Sequence, residues 1–326
     1  MTAPCPPGLR GGFVLAPMAG YTDSAFRRVC LRMGATAAVT EMVSVQGLSR
    51  RSAGSCRMLR HSPEETPLGV QLYGARPEDF ARAALLVRDM GFSFIDINAG
   101  CPVRRVIRSG SGASLLLDIP RLLDVTSAVS ASSDGLPVTV KIRLGWSEEE
   151  PVPTEIGAML AERGASAVFV HARFRSDLFS GTPDAAALRR IVELSPVPVI
   201  ANGESTSTEA ALGFLADSGA DGLLVGRGAI GRPWIFRALR GTGPEMPLPG
   251  EISGAVLLQL ALMREYLDPP LVYHVLRGHL VHYFRGFRGA PELRSRAVRV
   301  ESEEDVALVC GMAEEWTGRD PDAPGW

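Results

Sequence analysis

The sequence predicts a TIM (β/α)8 barrel carrying a smaller C-terminal all-helical domain, and three observations predict it. Short apolar, β-branched runs alternate with amphipathic helical stretches up to about residue 240. Eight such runs fall within roughly 230 residues, the count and length of a (β/α)8 barrel. Beyond Gly241-Thr242-Gly243-Pro244 a glycine- and proline-rich stretch reads as a linker, and helical periodicity alone resumes from about Ile252 to Met312. The expected organisation is a catalytic barrel over residues 1–240, a linker over 241–250, a helical domain over 251–316 and a tail over 317–326, whose end, Asp320–Trp326, has no readable pattern.

The strands are expected at Phe13–Ala16, Ala37–Thr40, Gly69–Leu72, Phe94–Ile97, Val138–Ile142, Ala167–Val170, Val197–Ala201 and Gly222–Val225. In this fold the chemistry collects at the C-terminal ends of the strands. Taken in order, those ends deliver Pro17-Met18, Glu41, Gln71, Asn98 to Cys101, Lys141, His171 with Arg173, Asn202-Gly203 and Gly226-Arg227. One ring of polar groups results.

Composition narrows the class. The chain has 326 residues, 46% hydrophobic, with a formal charge of -2, as expected of a soluble globular protein with one large domain and a smaller one. Five cysteines, odd in number and without a CxxC pair, speak against both a disulfide framework and a zinc site, so no metal is expected. The N-terminus lacks a basic-then-apolar leader and no apolar run is long enough to span a bilayer, so a cytoplasmic protein, with no membrane partner and monomeric, is expected.

Among 34 Lys+Arg positions there is one lysine, Lys141. A chain so biased toward arginine is expected to keep a lysine where a compact point charge is needed instead of a planar fork. Leu136-Pro137-Val138-Thr139-Val140-Lys141-Ile142 reads as a turn feeding a buried strand with the ammonium near its C-terminal end. A lysine spared by chance on the surface is the plain alternative.

Asn202-Gly203-Glu204 follows the seventh strand and Gly226-Arg227-Gly228-Ala229-Ile230-Gly231 the eighth. Glycines there let backbone N–H groups approach an anion, the usual barrel phosphate site. Each pattern alone is more often a tight turn; their coincidence with strands seven and eight predicts a phosphorylated cofactor. Gln71 and Lys141 on the inner rim then suit the edge of a flat heterocycle, and a lysine suits negative charge developing on a reduced flavin ring. Cys101 lies just past the fourth strand, freed by Gly100 and stiffened by Pro102. A thiol with a pKa near about 8.5 is protonated at neutral pH, so proton donor is the first reading. A small hydrophobe filling a loop is the alternative, as for Cys30, Cys56 and Cys310.

Ala16-Pro17-Met18-Ala19-Gly20, Asp96-Ile97-Asn98-Ala99-Gly100-Cys101-Pro102-Val103, Val140-Lys141-Ile142-Arg143 and Gly226-Arg227-Gly228-Ala229-Ile230-Gly231-Arg232-Pro233-Trp234 together resemble the tRNA-dihydrouridine synthase family, the last block most like its bacterial B-type branch. The resemblance runs through nearly the whole chain. It implies an FMN enzyme that reduces the C5–C6 double bond of a uridine in tRNA, with NADPH (or NADH) as electron source. It implies that Ala16, Pro17, Met18 and Gln71 border the flavin, that Lys141 sits by its pyrimidine edge, and that Asn202, Gly203, Glu204, Gly226 and Arg227 hold its phosphate. Hydride then passes from flavin N5 to uracil C6 and a proton from Cys101 to C5, with Asn98, His171 and Arg173 touching flavin or uracil. The chain departs from the family pattern at Glu204, Ala172, Phe174 and Gly278.

Leu271–Val300 holds Arg277, Arg285, Arg288, Arg294, Arg296 and Arg299 with three histidines, against the single acid Glu292. Tyr273, Tyr283, Phe284 and Phe287 interleave with these charges, a mixture suited to RNA phosphates and unstacked bases. Arg277 and His279 are the candidate RNA contacts there, and Arg104, Arg105 and Arg108 add charge beside Cys101. A solvated helix face is the alternative. Three rival functions stay open: an FMN barrel acting on a small dihydropyrimidine- or dihydroorotate-type molecule, a catalytically weak tRNA-binding chaperone, and a Schiff-base aldolase using Lys141.

Overall fold

The computed structural model describes residues 3–286 and 289–315. Its centre is a closed barrel of eight parallel strands: β1 Phe13–Leu15, β2 Ala37–Ser44, β3 Leu68–Tyr73, β4 Phe94–Asn98, β5 Val138–Arg143, β6 Ala165–His171, β7 Val199–Asn202 and β8 Gly222–Val225. Each strand pairs with its neighbours in sequence, and Phe13 opposite Leu223 closes the ring between β1 and β8. All eight expected strands are present. The largest difference is β2, which runs on to Ser44 through an irregularity between Val39 and Met42. That bulge keeps Glu41 within the strand, where its carboxylate accepts from Gly20 N of the β1 loop at 2.5 Å.

The barrel interior is filled by Val14, Val39, Phe94, Phe169, Ile200 and Leu224, with the Phe94 and Phe169 rings edge to face at 6.4 Å. Gly69 of β3 makes room for this: a Cβ there would lie 2.2 Å from the Phe94 ring. A packed floor of this kind leaves only the C-terminal mouth open for a ligand.

Beyond the short helix Ile235–Leu239 that follows β8, the described residues form four more: Pro249–Met263, Leu271–Tyr283, Ala290–Ala297 and Glu303–Glu315. The first begins inside the expected linker, because Pro249 takes an N-terminal helical position where its missing N–H costs nothing and the Glu251 carboxylate accepts from Leu248 N. These helices share one apolar core with Ala25 and Val29 of the helix Ser24–Arg32 and with Trp234. Polar ties reinforce the seam: Arg28 donates to Glu265 at 2.5 Å, and Tyr266 Oη accepts from Ala25 N at 3.1 Å.

Candidate active site at the barrel mouth

Asn98, the last residue of β4, organises the loop that follows. Its Oδ1 accepts from Gly100 N at 3.2 Å and Cys101 N at 3.0 Å, so the chain folds back on its own side chain and fixes where Cys101 points. Asn98 Nδ2 donates to Gln71 Oε1 at 2.8 Å, and Gln71 Nε2 donates to Asp96 Oδ2 at 2.6 Å. Thr139 Oγ1 donates to Asp96 Oδ1 at 2.6 Å. Three adjacent strands are thereby tied by one chain of side-chain hydrogen bonds. Burial raises the Asp96 carboxyl to about 7, while the two donors and the Lys141 charge pull it down. Sequence reading missed Asp96 and Thr139 as site components, although an aspartate inside the apolar run Phe94-Ile95-Asp96-Ile97 was the available signal.

Lys141 Nζ donates to Asn202 Oδ1 at 3.2 Å, and Asn202 Nδ2 is itself anchored on Leu224 O at 2.8 Å. Burial, helped by the neighbouring Arg143, lowers the ammonium to about 8, so it remains mostly charged at neutral pH. The Cys101 thiol is half-buried, and that burial raises its pKa against the pull of Arg143 and Lys141. A neutral thiol and a cation therefore coexist at one mouth at pH 7. Arg143, buried at the end of β5, donates to Gly100 O at 2.9 Å and Phe174 O at 2.8 Å, bracing the Cys101 loop from behind. Its guanidinium and that of Arg227 lie 5.4 and 5.3 Å from the half-exposed ring of Phe179.

His171 and Arg173 end β6 as a unit. Arg173 donates to Gly203 O at 2.7 Å, to Gly181 O at 2.8 Å and to Ser180 O at 3.1 Å, and it also faces His171 Nε2. Expected to touch flavin or uracil, Arg173 is in this geometry committed mainly to carbonyls of the loops around it. A guanidinium whose hydrogens already point at backbone acceptors shapes a site more than it reads a ligand.

The glycine loops after β7 and β8 meet the β1 loop at this mouth. At Gly226 an added Cβ would meet Ala16 Cβ at 3.7 Å, Met18 Sδ at 3.9 Å and Asn202 Nδ2 at 4.0 Å, so the ends of β1, β7 and β8 converge on a shallow notch that a side chain would fill. Pro17 stands in the same β1 loop. Arg227 and Gly228 open a tight helical turn, where backbone N–H groups have no intrahelical acceptor. Gly203 has φ +158, close to extended backbone, and Glu204 accepts from Ser205 N, Thr206 N and Thr206 Oγ1, each at 2.7 Å. The Glu204 carboxylate thus shapes the loop by binding the residues that follow it.

Residues 14–315 match the family model described as dihydrouridine synthase (Dus). The chain belongs to the dihydrouridine synthase family. It is 35% identical over 301 residues to tRNA-dihydrouridine synthase B of Pseudomonas syringae pv. tomato, covering 91% of this chain and 89% of that one. To the synthase B of Yersinia pestis it is 37% identical over 303 residues, 90% and 94% of the two chains. To that of Shewanella oneidensis it is 40% identical over 232 residues, 71% and 72%. Among solved structures, the old yellow enzyme homologue (NCR) from Zymomonas mobilis superposes with a TM-score of 0.54 at 15% identity, covering 74% of this chain and 94% of that one. A variant of the same protein gives 0.52 at 18% identity, covering 75% and 92%. At that identity the likeness is one of fold.

In this member of the dihydrouridine synthase family the C-terminal helices need three corrections to the sequence expectation. His279 is 0% exposed, packed against Tyr21 and Phe26 with ring centroids at 5.4 and 5.0 Å, and is not placed to contact RNA. Tyr273, Tyr283 and Phe284 are buried as well, because they supply the core joining these helices to the barrel, so they are no stacking platform. Arg277 is partly buried and donates to Val300 O at 3.0 Å, pinning its helix to the segment beyond. Arg285, Arg294, Arg296 and Arg299 remain exposed, as do Arg104, Arg105 and Arg108 beside Cys101, while Phe287 and Arg288 lie outside the described residues. Among the described residues no helix is long and apolar enough to cross a membrane, and no cluster could hold a metal ion.

Proposed function

We propose that this chain is an FMN-dependent tRNA-dihydrouridine synthase that reduces the C5–C6 double bond of a uridine in tRNA, with NADPH or NADH as reductant. The observation that carries the proposal is the gathering of Cys101, Lys141 and the glycine loops after β7 and β8 at one barrel mouth, in a chain that matches the dihydrouridine synthase family over residues 14–315. FMN would be held by Ala16, Pro17, Met18 and Gln71 along its ring, by Lys141 and His171 at its edge, and by Asn202, Gly203, Glu204, Gly226 and Arg227 around its phosphate. The chemistry that FMN would supply there, once reduced, is a hydride for carbon C6 of the pyrimidine.

Cys101 supplies the other half of the addition. Its S–H bond breaks as the C5–H bond forms, and the thiolate left behind sits in the field of Arg143 and Lys141 until it regains a proton from solvent. The Asn98 side chain holds the Cys101 loop in place for that transfer. A uridine can reach this depth only once unstacked, so a basic surface that grips the rest of the RNA is needed. Exposed Arg104, Arg105 and Arg108 at the mouth, with Arg294, Arg296 and Arg299 on the C-terminal helices, supply it.

Two features favour this reading over its rivals. The family match extends through the C-terminal helices, which a barrel for small molecules does not require. A Schiff-base aldolase using Lys141 would leave Cys101 and the glycine loops after β7 and β8 without a role. The test is nucleoside mass spectrometry of unmodified tRNA incubated with protein, FMN and NADPH. Dihydrouridine from wild type, with little from Cys101→Ala, is the expected result; tRNA binding without turnover would support the chaperone instead.

A further inference from the structure

We propose that Arg232 is a positioning residue for the cofactor phosphate, holding together from behind the two loops that receive it. The proposal rests on the FMN reading above. Arg232 is 0% exposed. It donates from Nη2 to Ser205 O at 2.7 Å, from Nη1 to Thr206 O at 3.1 Å and from Nε to Gly228 O at 3.1 Å. Ser205 and Thr206 belong to the loop after β7, Gly228 to the loop after β8. One planar fork therefore spans both halves of the phosphate grip.

The peptide geometry shows what the fork controls. In a trans peptide the C=O and the N–H point in opposite directions. The Ser205–Thr206 peptide is held at both edges, its carbonyl by Arg232 and its N–H by the Glu204 carboxylate. Gly228 is drawn against the same loop so closely that a Cβ on it would lie 2.2 Å from Ser205 O. With these carbonyls fixed, the loops after β7 and β8 are locked to each other where Gly228 meets Ser205.

The clamp reaches beyond the barrel. Arg232 Nη1 also meets Glu245 Oε1 at 3.4 Å, and that oxygen accepts from Thr208 N at 2.9 Å, at the start of the helix Thr208–Ser218. Glu245 O in turn accepts from Trp234 Nε1 at 3.1 Å. The segment leading to the C-terminal helices is thus fastened to the phosphate loops. A lysine at 232 could not reproduce this, because a single ammonium cannot bridge three carbonyls set in a fork.

FMN and riboflavin differ by the phosphate alone, so their affinities separate loop positioning from general folding. Dissociation constants for both are measured by flavin fluorescence on wild type, Arg232→Lys and Glu245→Ala. Arg232→Lys is expected to weaken FMN by about tenfold and leave riboflavin unchanged, with a smaller FMN-selective loss in Glu245→Ala. Equal losses for both flavins, or no loss of FMN affinity, would overturn the proposal. Wild type with no preference for FMN over riboflavin would overturn the phosphate-site reading itself, and this inference with it. If Arg232→Lys does not fold, Glu245→Ala decides by the same criterion.

Discussion

Arg173 Nη1 lies 3.2 Å from His171 Nε2. A guanidinium can only donate, so Nε2 must be the acceptor and the imidazole carries its single proton on Nδ1. Burial and the charges of Lys141, Arg143, Arg173 and Arg227 all depress the His171 pKa. A neutral imidazole at the barrel mouth follows. Nitrogen NMR should show a protonated Nδ1, a bare Nε2 and no titration between about pH 5 and 8; a midpoint near the usual histidine value of about 6.5 would disprove it.

Lys141 sets an alkaline limit on turnover. Its ammonium is lowered to about 8, so the cation at the barrel mouth is lost as pH rises through that value. The thiol, raised above the ordinary cysteine range, keeps its proton across the same interval. Single-turnover rates should therefore fall above about pH 8 in wild type. Lys141→Met should be slower throughout and lack that limb.

Removing the thiol should cost chemistry and spare binding. Cys101→Ala is expected to reduce the reductive step by roughly 10²–10⁴-fold, the usual range for a positioned proton donor. FMN affinity and tRNA affinity should stay near wild type. A variant that loses flavin instead would place Cys101 in packing.

His279 offers a test of the corrected C-terminal surface. Neither ring nitrogen has a hydrogen-bond partner among the described residues, and burial lowers its pKa to about 3. An apolar side chain of similar size leaves no unmet donor or acceptor, so His279→Leu should be as stable as wild type or more so at pH 7. The sign with pH is definite. A depressed histidine is protonated in the unfolded chain first, so wild type loses stability relative to His279→Leu as pH falls from about 6.5 toward about 3, on the order of a few kcal/mol. Denaturant midpoints at several pH values measure it, and tRNA affinity should be unchanged by the substitution.

Exposed arginines should dominate RNA affinity. Replacing Arg104, Arg105 and Arg108 with glutamate is expected to weaken tRNA binding and flatten its salt dependence, by about 0.7–0.9 in log–log slope for each phosphate that the variant no longer neutralises. Filter binding from low to moderate salt reads this out. An unchanged slope would move the RNA surface away from the Cys101 side of the mouth.

The sequence by itself determined the scaffold and which residues stand at its rim. Strand order follows from the alternation of eight apolar runs with helices, since parallel neighbours joined by helical crossovers close in sequence order. Cys101, Lys141, Asn202 and Gly226 were legible because a residue just beyond a barrel strand has only one place to go. Tertiary structure alone decided which charges and rings are free. Arg104 and Arg173 look alike in sequence, yet one faces solvent and the other is bound to loop carbonyls. The same holds for His279, Tyr273 and Phe284, whose interleaving with arginine resembles an RNA surface until the helices are docked on Ala25, Val29 and Trp234. The reason is physical: hydrogen-bond saturation and burial depend on neighbours distant in the chain, and the helical period records only that a face is apolar, not what covers it.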